Sequence, residues 1–192
     1  MEITFEKLWH RQSDQELWTG IRNSDETAFT LVFDLYHETL YNYGAKFCTN
    51  TAIVEDAVQD VFIDIWRLRH GLAAQITSIK FYLYRALRRR IHSGMDKFPL
   101  REEISLLHDY NLPFSYDNSE TILIEAESSH IRSQHLKALL SKLPGRQIEA
   151  LTLRYFEDFS TAEIAQIMGV SEKSVRNFIY KALTMLRTHR KF

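Results

Sequence analysis

Apolar residues recur along this chain at helical spacing, in blocks opened by capping residues. Residues 13–23 (SDQELWTGIRN) read as a short helix, with Ser13 as N-cap and Glu16 completing a capping box. A second start follows at Ser24-Asp25, after which Phe29, Val32, Phe33, Tyr36 and Leu40 fall on one helical face. Asn50-Thr51 marks a third start, and Ile53, Ala57, Val58, Val61, Phe62, Ile65 and Trp66 then form one wide apolar stripe. Gly71 interrupts the pattern before a last helix of this block, from about 78 to 92. Residues 93–127 have no sustained period. They hold Gly94, Pro99, Asn111, Pro113 and Asn118, and eight acids against Lys97 and Arg101. They read as an acidic linker with one helical turn near 104–108. A second helical block spans about 129 to 190. Strand-like alternation and internal repeats are absent from the sequence. The expected fold class is all-α: a helical domain over 1–92, an acidic linker over 93–128 and a helix-turn-helix domain over 129–192.

Composition narrows the function classes. With 45% hydrophobic and 26% charged residues, the 192-residue chain has the make-up of an ordinary soluble globular protein. The single cysteine, Cys48, rules out an internal disulfide and a metal-binding cysteine pair, and is expected to be a small buried hydrophobe. The eight histidines are scattered; His130 and His135 lie five apart, a poor spacing for two ligands on one helix face. The sequence carries no glycine-rich phosphate loop and no nucleophile–base pairing. The chain is therefore expected to be no enzyme and to need no metal, cofactor or small-molecule substrate. It lacks a signal-peptide pattern and any apolar run near the roughly 18 residues of a membrane span, so a cytoplasmic protein is expected.

The net charge of −1 hides a strong segregation. Residues 25–64 hold eight acids and one base, Lys46. Residues 67–92 hold no acid and seven bases: Arg67, Arg69, Lys80, Arg85, Arg88, Arg89 and Arg90. A solvated face is the plain alternative, but an absence of acids over 26 residues is unusual for a mixed surface, and the basic half reads as an anion-binding surface.

The segment Ser160-Thr161-Ala162-Glu163-Ile164-Ala165-Gln166-Ile167-Met168-Gly169-Val170-Ser171 has the parts of a helix-turn-helix. Ser160 and Glu163 form a capping box. Ile164, Ile167 and Met168 face inward, and Ala165 is small where the helices cross. Gly169 supplies the left-handed turn, and Ser171 caps the second helix. On that helix Val175, Ile179, Leu183 and Leu186 give a core face, while Lys173, Ser174, Arg176, Asn177, Tyr180 and Lys181 are candidates for DNA contact. Arginine can pair with guanine and asparagine with adenine, whereas lysine and tyrosine can hold phosphates. A surface helix of a plain hairpin would share the periodicity, but not this combination of caps, small residue, glycine turn and cationic face.

These residues carry a family resemblance. Leu143-Pro144-Gly145-Arg146-Gln147-Ile148-Glu149-Ala150-Leu151, then Arg154-Tyr155-Phe156-Glu157-Asp158-Phe159-Ser160 and the helix-turn-helix, resemble the promoter-reading C-terminal region of bacterial sigma factors. Asp25-Glu26-Thr27-Ala28-Phe29 and Asp56-Ala57-Val58-Gln59-Asp60-Val61-Phe62-Ile63-Asp64-Ile65-Trp66 resemble their core-binding region. Ile79-Lys80-Phe81-Tyr82-Leu83-Tyr84-Arg85-Ala86-Leu87-Arg88-Arg89-Arg90 resembles the promoter-melting region. Order, spacing and length are similar to the small extracytoplasmic-function (ECF) sigma factors, and the Leu-Arg-Arg-Arg ending to members from Bacteroidetes. Many other members carry Asn where Arg89 stands.

The resemblance implies roles. Asp56, Gln59, Asp60, Phe62 and Trp66 would meet the coiled-coil clamp of core RNA polymerase, with domain core as the alternative reading of Phe62 and Trp66, which lie in the apolar stripe. Asp60 and Asp64, at i and i+4, repel each other in an isolated helix, a repulsion that a cationic partner would relieve. Arg67, Arg69, Lys80, Phe81, Tyr82, Arg85, Arg88 and Arg89 would meet the −10 element of promoter DNA, with the loop 67–77 holding an extruded base. Lys173, Ser174, Arg176, Asn177, Tyr180 and Lys181 would read the −35 element. An anti-sigma factor is an expected partner. The competing expectation is a stand-alone helix-turn-helix transcriptional regulator, which would bind promoter DNA without polymerase.

Overall fold

The computed structural model describes residues 13–46, 48, 50–95, 139, 140 and 142–188. The acidic linker from residue 96 onward, the turn expected at 104–108 and the expected start of the second block at 129 lie outside them. Every regular element among the described residues is a helix. The chain divides into two compact units, Met1–Arg101 and Glu102–Phe192.

The first unit contains α1 (Asp14–Arg22), α2 (Glu26–Gly44), α3 (Thr51–Arg67), a single 3-10 turn (Arg69–Gly71) and α4 (Ile79–Met95). The local signals act as the sequence suggests. The hydroxyl of Ser13 accepts from Glu16 N, and the Glu16 carboxylate accepts from Ser13 N. Asp25 caps α2 by accepting from Thr27 N and Ala28 N, and Asn50 caps α3 through Ala52 N and Ile53 N. Between α1 and α2 the chain reverses through Ser24, held at a φ of 67°.

Helices α2, α3 and α4 pack on one another, and α1 lies on α2. Trp18, Ile21, Leu40, Tyr43, Ile65, Ile79, Leu83, Tyr84, Leu87 and Ile91 are fully buried between them. Each aliphatic side chain there contributes about 1.5–3 kcal/mol of transfer free energy. Gly44 permits the closest approach: a Cβ on it would lie 2.8 Å from Val54 Cγ1 and 3.0 Å from Ile91 Cδ1. Cys48 is buried, and burial raises its thiol pKa. Helix α4 continues to Met95, past the expected end at His92, so Gly94 is accommodated in its last turn.

The second unit contains α5 (Gly145–Tyr155), α6 (Thr161–Met168) and α7 (Glu172–Thr188). Leu143, Ile148, Leu151 and Ala182 form a buried cluster, with Leu140, Ile179, Leu183, Met185 and Leu186 packed against it. The core face of α7 is centred on Val175 and Ala182, both fully buried, while Ile179, Leu183 and Leu186 are half-buried at its edges. Between α5 and α6, Arg154 Nη1 donates to Phe159 O at 3.0 Å, and Asp158 takes a φ of 57°.

Candidate nucleic-acid interface

In the second unit α6 and the turn that joins it to α7 follow from local interactions. The hydroxyl of Ser160 accepts from Glu163 N at 3.3 Å while the Glu163 carboxylate accepts from Ser160 N at 2.9 Å. Gly169 ends α6 at a φ of 65°, in the left-handed region, and Val170 N donates to Ala165 O at 3.0 Å. Ser171 then accepts from Ser174 N at 3.2 Å and starts α7. Lys173, Arg176, Asn177, Tyr180 and Lys181 are exposed, Tyr180 at 69%. Ser174 is half-buried and shares a hydroxyl contact with Ser171, so it belongs to the cap as much as to the surface. Arg176 rests on Glu172, one turn back, with Nη1 3.1 Å from Oε2. Both side chains are more than half exposed, so solvent screens the pair, whose net stabilisation is small.

In the first unit the expected contacts divide by burial. Arg85 and Arg89 are exposed. Arg67 is exposed and paired with Asp64 at 2.9 Å. Lys80 and Tyr82 are half-buried, Lys80 with its ammonium 5.8 Å from the Tyr84 ring centre and Tyr82 tilted against Trp18 at 4.9 Å. Phe81 and Arg88 are buried and serve the core in this conformation. Arg69 is engaged within the fold: Nε donates to Ser24 Oγ at 2.8 Å, Nη1 donates to Trp66 O at 2.6 Å, and the guanidinium lies 4.5 Å from the Trp66 ring centre. Tyr82, Arg89, Asp64, Leu68, Val61, Ala86 and Arg90 line an open cleft of about 290 Å³ between α3 and α4. Burial raises the Tyr82 phenol pKa, with Arg89 lowering it and Asp64 raising it.

On the acidic side, Asp56, Gln59 and Asp60 are exposed on α3. Phe62 is buried and Trp66 half-buried, in an aromatic cluster with Phe29 and Phe33. The expected repulsion between Asp60 and Asp64 needs correcting, because it is relieved from within. Arg90 of α4 reaches across, placing Nη1 2.9 Å from Asp60 Oδ2 and Nη2 against Asp64 Oδ2. Arg67 adds a second cation to Asp64. The acidic and basic halves are therefore partly tied to each other.

Helix α1 was not among the expected site elements, yet its residues bond to the loop 67–77. Arg22 Nε donates to Leu72 O at 3.1 Å, Trp18 Nε1 to Ala73 O at 2.9 Å and Gln15 Nε2 to Ala74 O at 2.8 Å. The one sequence signal was Trp18 itself, since a buried indole N–H usually finds an acceptor.

No helix among the described residues is long and apolar enough to cross a membrane.

Comparison with known proteins agrees with this layout. Residues 32–97 match the family model "Sigma-70 region 2", and residues 133–186 match "Sigma-70, region 4". The chain is 25% identical over 168 residues to the ECF RNA polymerase sigma factor SigX of Bacillus subtilis, covering 85% of this chain and 84% of SigX. It is 22% identical over 185 residues to the ECF RNA polymerase sigma factor RpoE of Cereibacter sphaeroides, covering 93% and 97%. Among solved structures, CnrH in complex with the cytosolic domain of CnrY has a similar fold, with a TM-score of 0.60 at 18% identity over 92% of this chain and 96% of that one. Two sigma-70 regions in the right order, the helix-turn-helix geometry and relatives matched over most of their length lead to one assignment: the chain belongs to the ECF family of RNA polymerase sigma factors.

Proposed function

We propose that this chain joins core RNA polymerase and directs it to promoters by a two-point grip on DNA. The observation that carries this reading is the outer face of α7, where Arg176, Asn177, Tyr180 and Lys181 stand exposed behind a fully formed helix-turn-helix. That face, with Lys173 and Ser174, reads the −35 element in the major groove. The −10 element meets the basic half of the first unit: Arg67, Arg85 and Arg89 at phosphates, Lys80 and Tyr82 at the strand edge, and the loop 67–77 around a base drawn from the stack. Drawing that base out costs a few kcal/mol, which contacts of this kind offset. Phe81, Arg88 and Arg69 support this surface from beneath. Asp56, Gln59 and Asp60 face the polymerase clamp, with Phe62 and Trp66 shaping α3 behind them.

The chain supplies recognition and strand separation and no catalytic group, and it acts in the cytoplasm. CnrH is held in a complex with the cytosolic domain of CnrY, which supports an anti-sigma protein as a partner of this chain as well. The Leu87-Arg88-Arg89-Arg90 ending supports a Bacteroidetes-type member.

The test is a pull-down of core polymerase with the purified chain, followed by run-off transcription. Failure to retain core polymerase overturns the reading. Tight, sequence-specific binding to promoter DNA in the absence of polymerase marks a stand-alone regulator instead.

A further inference from the structure

The bonds between α1 and the loop that follows α3 run in strict antiparallel order. Moving backward from the end of α1, Ser24 accepts from Arg69 Nε, Arg22 O contacts His70 Nδ1 at 3.1 Å, and Arg22 Nε donates to Leu72 O. Next come Trp18 to Ala73 O and Gln15 to Ala74 O, and last Asp14 Oδ2, which accepts from Ile79 N at 2.8 Å. Three consecutive carbonyls, at Leu72, Ala73 and Ala74, each receive a side-chain donor from one helix. The Asp14 carboxylate then satisfies an amide of the first turn of α4, where a negative group is favoured by the helix dipole. Contacts this far apart in sequence, between 45 and 65 residues, bring no local stability of their own. They fix the path of a segment that has little apolar surface to bury: Gly71, Ala73, Ala74, Gln75 and Thr77 are all exposed.

We propose that α1 is the positioning element for the promoter-melting loop. Gln15, Trp18 and Arg22 hold its backbone in the conformation that receives the extruded −10 base before DNA arrives. The inference rests on the reading above that the loop meets the −10 strand. None of the three residues touches DNA in this scheme. They act by raising the fraction of molecules whose loop is already competent. Apparent affinity scales with that fraction, so a loop ordered one-tenth of the time binds about tenfold more weakly.

Two variants remove donors, Gln15→Met at nearly constant bulk and Trp18→Phe with the loss of one buried ring. Gln15→Met lies on an exposed position, so the fold tolerates it; Trp18→Phe keeps an aromatic ring against Tyr82 but loses the indole N–H. Gln75→Glu places a negative charge on the loop itself. Each is assembled with core polymerase and titrated with a single-stranded non-template oligonucleotide spanning the −10 element of a promoter the holoenzyme transcribes. Amide hydrogen exchange over residues 70–77 of the free chain is read in parallel. Gln15→Met and Trp18→Phe are expected to weaken the oligonucleotide about five- to tenfold and to speed loop exchange, with core-polymerase affinity unchanged. Gln75→Glu is expected to weaken the oligonucleotide with loop exchange unaltered.

If Gln75→Glu weakens binding and the α1 variants do not, the positioning role is wrong and the loop reading stands. If none of the three alters binding, the loop reading falls and the positioning role with it. If the α1 variants weaken binding while Gln75→Glu does not, or lose core-polymerase affinity in proportion, α1 acts by another route and the proposal is overturned.

Discussion

Arg90 Nη1 sits 2.9 Å from Asp60 Oδ2, joining two residues thirty positions apart on helices of opposite charge. The same guanidinium holds Asp64. One cation thus separates two like charges stacked a turn apart on α3, and it ties α4 to the helix proposed to face polymerase. Arg90→Gln is expected to lower unfolding stability by about 1 kcal/mol, because the groups are partly exposed and solvent screens them. The loss should shrink sharply in an Asp60→Asn/Asp64→Asn background and at high salt. Urea denaturation of the four-member cycle checks this; an equal loss in both backgrounds would show that Arg90 acts by packing alone.

Arg176 is paired with Glu172, and in the proposed reading of the −35 element it would have to leave that partner to reach a base. Arg176→Ala is expected to cost roughly 1–3 kcal/mol and to relax preference at one base step of the −35 element. Lys181→Ala should weaken all promoters evenly and reduce the salt slope by about one. Glu172→Gln should tighten binding by less than about 1 kcal/mol, since it removes both an exposed competitor for Arg176 and an acid near phosphate. Transcription from a −35 substitution panel reads all three. An unchanged base preference in Arg176→Ala would place another residue of α7 at the base edge.

Two glycines are expected to respond to alanine for different reasons. Gly44→Ala pushes a methyl into Val54 and Ile91 and should cost about 1–3 kcal/mol through overpacking of the first unit. Gly169→Ala meets no neighbour within 4 Å, yet its φ of 65° should cost about 1–2 kcal/mol in the second unit. Differential scanning calorimetry on the full chain, with Gly71→Ala as a neutral comparison, distinguishes crowding from backbone strain. A Gly44→Ala protein as stable as the parent would mean that α2 can move away from α3 and α4 freely.

The Tyr36 phenol is pushed up to about 12 by burial and, to a lesser degree, by the Asp14 carboxylate. A tyrosine in an unfolded chain ionises near pH 10. Tyr36 therefore gives its full contribution to stability below about pH 10, and loses it progressively as the pH rises toward about 12. Tyr36→Phe is expected to flatten this alkaline limb without changing its start, as followed by urea denaturation from pH 9 to 12. An identical limb in the variant would assign it to other groups, Tyr82 first among them.

Much of this was legible in the residue order because it is local. Ser13 with Glu16, Ser160 with Glu163 and Gly169 each complete their interaction within a few positions, so the helix starts and the turn between α6 and α7 could be read directly. The stripe from Ala57 to Ile65 named its own buried face. The fates of the cations were not legible in this way. Arg88, Arg89 and Arg90 are neighbours in sequence, but successive residues on a helix point about 100° apart. One is buried, one is exposed and one crosses to Asp60 and Asp64. Counting bases over 67–92 therefore overstated the free positive surface, and only the packing of α4 on α3 sorts the three. The proposed role of α1 was hidden for the same reason, since every loop partner given above for Gln15, Trp18 and Arg22 lies at least 48 residues away.

The spacing of the bonds from α1 to the loop makes α1 a ruler. Its donors at 15, 18 and 22 climb about 1.5 Å per residue, close to a helical turn per step, while the loop advances one residue for each. An added or deleted residue among 72–74 would shift every later carbonyl off its donor, whereas residues 75–77 carry none of these bonds. An engineered change of loop length is therefore expected to be tolerated best in the short stretch between the last mark on the ruler and the Asp14 cap of α4.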